Sequence, residues 1–391
     1  MEDKSKRDRR IVKITHIISA GGVGGGERQL LIFAKGFARD RYELGFIVPE
    51  RGALSSKLEA LGFKPEVIDI NRSLLSIPVM HKLIKYLMET RPDIVHTHGA
   101  RANFYGRIAA SLAGVPFSVS TIHNSISDYP VSSFKKRIYI TAEKLTVRKA
   151  AKIVTVSNYL KNELVSEYGI SSKKIITIYP AIDEIALQVT DDRFATRKKL
   201  GVNDSELLIS QMGRMTPQKG FHYFIEAAGL LSKKHGNLKW LFVGDGPLRG
   251  ELEALCSKKG ISERCIFTGF REDVGNLISA SDIFVSSSLS EGFPITLIEA
   301  SYMGKPVVAT RVSGVPEFIE DSVNGILVKP QNSEALALAI ERLIVSSFLR
   351  EQLGNSAKQS VSEKFSAEYM IGKFSDLYET LLLKHTMISS F

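Results

Sequence analysis

Short runs of Ile, Val and Leu alternate with longer segments of helical periodicity from residue 11 almost to residue 345. That alternation is the pattern of parallel βαβ units. The apolar runs predict strands at 12–18, 44–48, 94–98, 118–122, 153–156 and 175–178 in the first half of the chain. In the second half they fall at 207–212, 238–243, 266–268, 283–285, 307–310 and 325–328. Each of the later strands runs into Gly, Ser or Pro before the next helical stretch, where βα turns belong. The first helix is expected at 27–38, directly after a run of glycines.

Between residues 180 and 204 the strand pattern is lost and the chain turns polar, with room for a short helix at 194–200 ended by Gly201. A chain of 391 residues is long for one domain and comfortable for two. The expected organisation is a charged tail at 1–10, a first α/β domain at 11–185, a linker at 186–205 and a second α/β domain at 206–365. Both domains read as Rossmann-like, doubly wound parallel sheets. Such sheets bind ligands outside the carboxyl ends of their strands, so a cleft between two of them is the default site.

Charge alters this picture on one side only. Up to residue 185 there are 29 Lys and Arg against 18 Asp and Glu, a net +11, which leaves −1 for the rest of the +10 total. The first half is therefore suited to an anionic partner, with phospholipid and nucleic acid as generic candidates. No aromatic-stacking motif accompanies the basic residues, so nucleic acid is not expected. No stretch of 18 apolar residues occurs and no apolar segment follows the N-terminal charges, so the reading is a cytoplasmic chain without a leader or membrane span. Two cysteines, Cys256 and Cys265, fit buried free thiols in a reducing compartment.

Three segments carry candidate chemistry. Gly21 to Gly26, interrupted by Val23, lies between a strand and a helix, so its backbone can approach a ligand closely. A nicotinamide-binding turn is the rival reading, with Glu50 as its ribose ligand, yet no register yields G-x-G-x-x-G. A plain tight turn is the other. Gly213-Arg214 and Lys219-Gly220 put two cations five residues apart on one βα loop, where they could clamp a diphosphate.

The stretch from Ser290 to Ala300 is the most informative: Glu291, the Gly292-Phe293 turn, Pro294 at an expected first helical position, then Ile295, Thr296, Leu297 and Glu299. A helix starting at Pro294 presents N–H groups and a positive dipole end to a phosphate, while the two carboxylates can accept hydrogen bonds from sugar and ribose hydroxyls. Asp245-Gly246-Pro247 reads as a turn. His96 and His98 share a face of one strand without a third ligand at metal spacing nearby, so no metal is expected there. His123 ends a strand, as a structural or a sugar-contacting histidine. The helix expected from Phe134 to Lys152 places Phe134, Ile138, Ala142 and Leu145 on one face. Its seven basic residues, between Lys135 and Lys152, lie largely elsewhere. It fits either an anionic membrane surface or an ordinary solvated face.

Taken in order, Gly213-Arg214…Lys219-Gly220, Phe242-Val243-Gly244-Asp245-Gly246-Pro247, Glu291-x7-Glu299, Gly304-Lys305-Pro306-Val307-Val308-Ala309-Thr310 and Gly314-Val315-Pro316-Glu317 form one constellation. On these motifs the sequence resembles the retaining glycosyltransferases of family 4. The resemblance runs from about Ile11 to the C-terminal helix and implies the GT-B fold, two Rossmann-like domains facing each other across a cleft.

It implies that Arg214 and Lys219 bind the donor diphosphate, that Glu291 with the Gly292-Phe293 backbone contacts the donor sugar, and that Glu299 binds the ribose. Pro294, Ile295, Thr296, Leu297, Gly213, Gly244 and Gly246 complete the donor site, with His123 near the sugar and Gly24, Gly25 and Gly26 beside the phosphates and acceptor. Residues 366–391 correspond to final helices that cross back to the first domain. The implied reaction is metal-independent transfer of a hexose, from a UDP-sugar in preference to a GDP-sugar, to a glycan or lipid-linked acceptor of a cell-surface polysaccharide, with retention. No cofactor is expected. A nucleotide-sugar epimerase and a non-enzymatic adaptor remain as alternatives.

Overall fold

The computed structural model describes residues 10–389 apart from 23, 73–74, 129–131 and 362. All of the charged tail but Arg10 lies outside the described residues, and Arg10 bonds Asp93 at 2.6 Å. Two compact units emerge: Met1–Ala181 with Ser366–Phe391, and Ile182–Phe365.

The first unit runs β1 (Val12–Ile18), α1 (Gly25–Gly36), β2 (Tyr42–Val48), α2 (Ala53–Ala60), β3 (Glu66–Val67), α3 (Ile77–Thr90), β4 (Ile94–His98), α4 (Ala100–Leu112), β5 (Phe117–Ile122), α5 (Ser133–Thr146), β6 (Lys152–Thr155), α6 (Asn158–Ser166) and β7 (Ile175–Thr177). Its seven strands lie in the order β3-β2-β1-β4-β5-β6-β7, and all their pairings are parallel. Helices cover both faces, which is why β4 is buried along its whole length although it carries His96, Thr97 and His98. In α3, Val79, Leu83 and Leu87 recur at a spacing of four and are all buried, the stripe that fixes the helix to the sheet. β3 was not expected, because two exposed residues carry no periodicity.

The second unit runs α7 (Arg193–Lys199), β8 (Leu207–Met212), α8 (Phe221–Ser232), β9 (Leu238–Val243), α9 (Arg249–Lys258), β10 (Cys265–Gly269), α10 (Val274–Ala280), β11 (Ile283–Ser286), α11 (Ile295–Tyr302), β12 (Val307–Thr310), β13 (Ile326–Val328), α12 (Ser333–Val345) and α13 (Ser347–Ser360). The strand order is β10-β9-β8-β11-β12-β13, so this sheet reverses direction between β8 and β11, as the first does between β1 and β4. Its core holds Trp240, Phe221, Phe224 and Phe242, with the Trp240 indole N–H donating to Ser232 at 3.0 Å. Of the two free thiols, Cys256 is buried as expected and Cys265 only half-buried.

The segment expected as a linker, 186–205, instead belongs to the second unit. Asn276 Oδ1 accepts from the N–H groups of Thr190 and Asp191 at 2.9 and 3.1 Å. Arg193 and the fully buried Arg197 donate to the carbonyls of Ser279 and Ala280 and to Asp282. Cationic side chains that look solvated in the sequence thus cap the carbonyl end of α10.

The last helix, α14 (Ala367–Ser389), belongs to the first unit. Met370, Phe374, Leu377, Tyr378 and Leu381 join Leu30 and Phe33 of α1 and its C-cap Phe37 in one core. Each such large apolar side chain contributes roughly 2 kcal/mol on burial. None of the described helices is long and apolar enough to cross a membrane.

Candidate active site

In each sheet the direction of winding reverses between two adjacent strands, and loops there diverge to leave a crevice at the carboxyl ends. In the second unit these are the loops after β8 and β11. The β8 loop passes through Gly213 and Arg214 into a turn of 3-10 helix at Pro217–Lys219, then through Gly220 into α8. Gly220 has φ +59, and a Cβ on it would lie 2.1 Å from the Ser287 carbonyl oxygen. That close approach knits the two loops. Ser287 Oγ donates to Gln211 Oε1 at 2.8 Å, Gln211 Nε2 to the Lys219 carbonyl at 2.8 Å, and Leu289 N to the Gln218 carbonyl at 2.7 Å.

Lys219 is thereby aimed at Glu291. Its ammonium donates to Oε1 at 2.7 Å and Oε2 at 2.9 Å, and Ser288 Oγ adds a third bond to Oε1 at 2.7 Å. Glu291 is 8% exposed and Lys219 28%. Arg214, by contrast, is exposed, and its side chain has no partner among the described residues. The structure thus pairs one cation of the loop with the loop glutamate and leaves the other open.

Helix α11 begins at Ile295, with Pro294 as its N-cap rather than its first residue. Gly292, Phe293 and Pro294 are buried, and Phe293 packs on Phe365 with ring centroids 5.8 Å apart. Leu297 is fully buried and Glu299 1% exposed, while Ile295 and Thr296 are half-buried. Phe293 and Leu297 therefore belong to the buried core, and the Leu297 N–H donates to the Pro294 carbonyl at 3.0 Å. Gly244 and Gly246 follow β9 and press on the β8 loop: a Cβ on Gly244 would lie 2.1 Å from the Gly213 carbonyl oxygen. The chain turns here with Arg249 N donating to the Gly246 carbonyl at 3.2 Å, and Asp245 Oδ1 accepts from Gly246 N at 2.7 Å.

In the first unit the corresponding crevice holds a pocket of about 180 Å³ lined by Ser19, Gly26, Glu27, His98, Asn103 and His123, among others. Gly25 and Gly26 open α1, with Gly24 as its cap and the Gly24 N–H bonded to Glu27 at 3.0 Å. A Cβ on Gly26 would meet the His123 ring at 3.6 Å. Sequence reasoning missed Glu27, Asn103 and Ser19, none of which stands in a motif. It also missed the fully buried Arg107, which donates to Ser120 at 2.8 Å and ion-pairs with Glu143 of the pocket lining at 2.7 Å.

His96 and His98 do have a third neighbour: His16 on β1 completes a cluster whose nitrogens lie within 4.8 Å of one another. The partner is 82 residues away in sequence, so no local spacing reveals it. Both nitrogens of His96 are already engaged, by the Tyr378 hydroxyl at 2.6 Å and the Thr121 hydroxyl at 2.7 Å. A metal would have to displace one of them. Burial lowers the pKa of His16 to about 3 and of His123 to about 4, and holds His96 and His98 well below the usual imidazole value. All four are neutral near pH 7.

The family described as "Glycosyltransferase Family 4" matches residues 23–184, and "Glycosyl transferases group 1" matches 192–360. An uncharacterized glycosyltransferase of Methanocaldococcus jannaschii is 30% identical over 308 residues, 77% of this chain and 78% of that one. The chain belongs to glycosyltransferase family 4. The UDP-Gal:alpha-D-GlcNAc-diphosphoundecaprenol alpha-1,3-galactosyltransferase of Escherichia coli is 26% identical to this glycosyltransferase, covering 94% of it and 96% of the relative. The crystal structure of Anabaena HepE in complex with UDP and glucose superposes with a TM-score of 0.84 at 25% identity, over 94% of this chain and all of that one. The fold is GT-B, and the nicotinamide and adaptor readings give way to glycosyl transfer.

Proposed function

We propose that this glycosyltransferase moves a hexose-type sugar from a UDP-linked donor to a glycan or lipid-linked acceptor of a cell-surface polysaccharide, with retention and without a divalent ion. The observation that carries the reading is the Lys219–Glu291 pair at the reversal point of the second sheet, with Arg214 open beside it on the same loop. Lys219 and Arg214 stabilise charge on the departing diphosphate, and the N-terminal end of α11 adds its dipole. Glu291, already desolvated, accepts from a sugar hydroxyl, and Glu299 accepts from the ribose. With two cations on the leaving group, the chemistry needs no metal charge. UDP is favoured by the UDP-Gal donor of the Escherichia coli enzyme and by the UDP bound in the Anabaena structure.

The first unit takes the acceptor side in this reading, with Gly24, Gly25, Gly26 and His123 bordering the pocket. Its α5 supports contact with an anionic membrane. Phe134 and Leu145 are 72% and 70% exposed, beside outward-facing Lys135 and Arg137. Salt-sensitive flotation with acidic liposomes tests that contact, and its absence removes it.

The decisive assay offers UDP- and GDP-hexoses with lipid-linked and soluble glycan acceptors in excess chelator. Transfer from a UDP-hexose with the anomeric configuration kept is expected. Strict metal dependence, or conversion of the donor without acceptor as an epimerase would perform it, overturns the reading.

A further inference from the structure

Behind His123 lies a chain of imidazoles. His98 Nδ1 is 3.4 Å from His123 Nε2, and His98 Nε2 is 3.1 Å from His16 Nδ1. His16 is stacked between Phe33 and Phe46, with ring centroids 5.3 and 5.5 Å away. Its outer nitrogen, Nε2, is buried with no hydrogen-bond partner among the described residues. At the other end, His123 Nδ1 has no partner among the described residues either. It belongs to a half-buried ring that lines the pocket.

A neutral imidazole has one N–H and one lone pair, so the three rings must all orient the same way. If the donors run outward, His16 Nδ1–H donates to His98, His98 Nδ1–H donates to His123 Nε2, and His16 is left with a bare lone pair among aromatic rings. If they run inward, His16 is left with a buried N–H that nothing accepts. Orphaned buried N–H groups are the rarer case in folded proteins, and each is costly. The outward direction therefore prevails, and it fixes the one proton of His123 on Nδ1.

We infer that His98 and His16 are positioning residues that lock His123 as a hydrogen-bond donor toward the first-unit pocket, where it meets an oxygen of the sugar substrate. The locking itself is a property of the free protein; the sugar contact rests on the function proposed above. His96 takes no part, although its ring centroid lies 4.2 Å from that of His98, because its two nitrogens bond hydroxyls instead.

Nitrogen-15 NMR of the full chain labelled at histidine tests this directly, since protonated and bare imidazole nitrogens resonate far apart. The wild-type His123 is expected to show a protonated Nδ1 and a bare Nε2. His98→Phe should leave His123 as a mixture of tautomers and lower kcat/KM for transfer roughly tenfold, the worth of one neutral hydrogen bond. His98→Asn, whose amide can donate from near the same place, should restore both. His96→Gln should leave the His123 signals unchanged. If His98→Phe does not fold, His16→Phe, which keeps an aromatic ring between Phe33 and Phe46, gives the same readout. A protonated Nε2 in the wild type, or an unmoved His123 signal in the variant that folds, overturns the inference. If the tautomer shifts as expected but the wild type transfers no UDP-hexose, the proposed function fails and the lock stands.

Discussion

Lys219 holds both carboxylate oxygens of Glu291, at 2.7 and 2.9 Å, from a loop 72 residues earlier in the chain. With Glu291 only 8% exposed, removing the lysine strands a buried carboxylate. Lys219→Ala is expected to cost about 1–3 kcal/mol of stability and more than roughly a hundredfold in transfer rate. Adding Glu291→Gln should recover the stability and none of the activity. Urea unfolding with initial rates checks this, and an active double variant would remove the pair from the chemistry.

Arg214 offers the cleaner test of donor binding, because its exposed side chain supports nothing else among the described residues. Arg214→Ala should unfold at the wild-type temperature without ligand and lose most of the rise that UDP produces, a rise set by mass action. A loss of about tenfold to a hundredfold in UDP affinity is expected for one charge-assisted contact. An undiminished UDP shift would take Arg214 out of the donor site.

Gly220 tests how the loop is built. At φ +59, with a Cβ only 2.1 Å from the Ser287 carbonyl oxygen, Gly220→Ala must separate the two loops. The expected cost is more than about 2 kcal/mol. The single tryptophan, fully buried Trp240, reports unfolding of this unit by fluorescence, and an unshifted urea midpoint would contradict the contact.

The buried histidines make the first unit acid-sensitive. His16, His96, His98 and His123 have native pKa values lowered from 6.5 by burial, that of His16 to about 3 and that of His123 to about 4. The unfolded chain therefore binds protons below about pH 6.5 that the native one does not. Their stabilisation is complete above that pH and declines as the pH falls toward the native values, by up to ~1.4 kcal/mol per pH unit for each ring. Far-UV circular dichroism in urea at pH 7 and pH 5 should show the loss, and His16→Phe should flatten the slope by about a quarter. A pH-independent midpoint would mean that these rings are protonated when folded.

Both sheets were legible in the sequence because their strands are short apolar runs punctuated by turn residues. β8, β9 and β12 begin and end where the pattern places them. The two residues of β3 had no pattern to betray them. Arg193 and Arg197 looked like a polar linker because a cation that caps a helix end is indistinguishable, in one dimension, from one in solvent. The loop carrying Lys219 and the segment carrying Glu291 could each be named from spacing and glycine chemistry, yet their pairing could not. The same holds for His16, which meets His98 only because β1 and β4 lie side by side in the sheet.

The last helix of the chain completes the first unit, with Tyr378 bonded to His96 and Phe374 against Phe33. During synthesis the unit that begins first must therefore finish last. Residues 182–365 can close their own core while the earlier sheet still waits on the ribosome with one face of α1 uncovered. A nonsense mutation that removes only α14 would spare the Lys219–Glu291 site and leave the histidine sheet open to water and to chaperones.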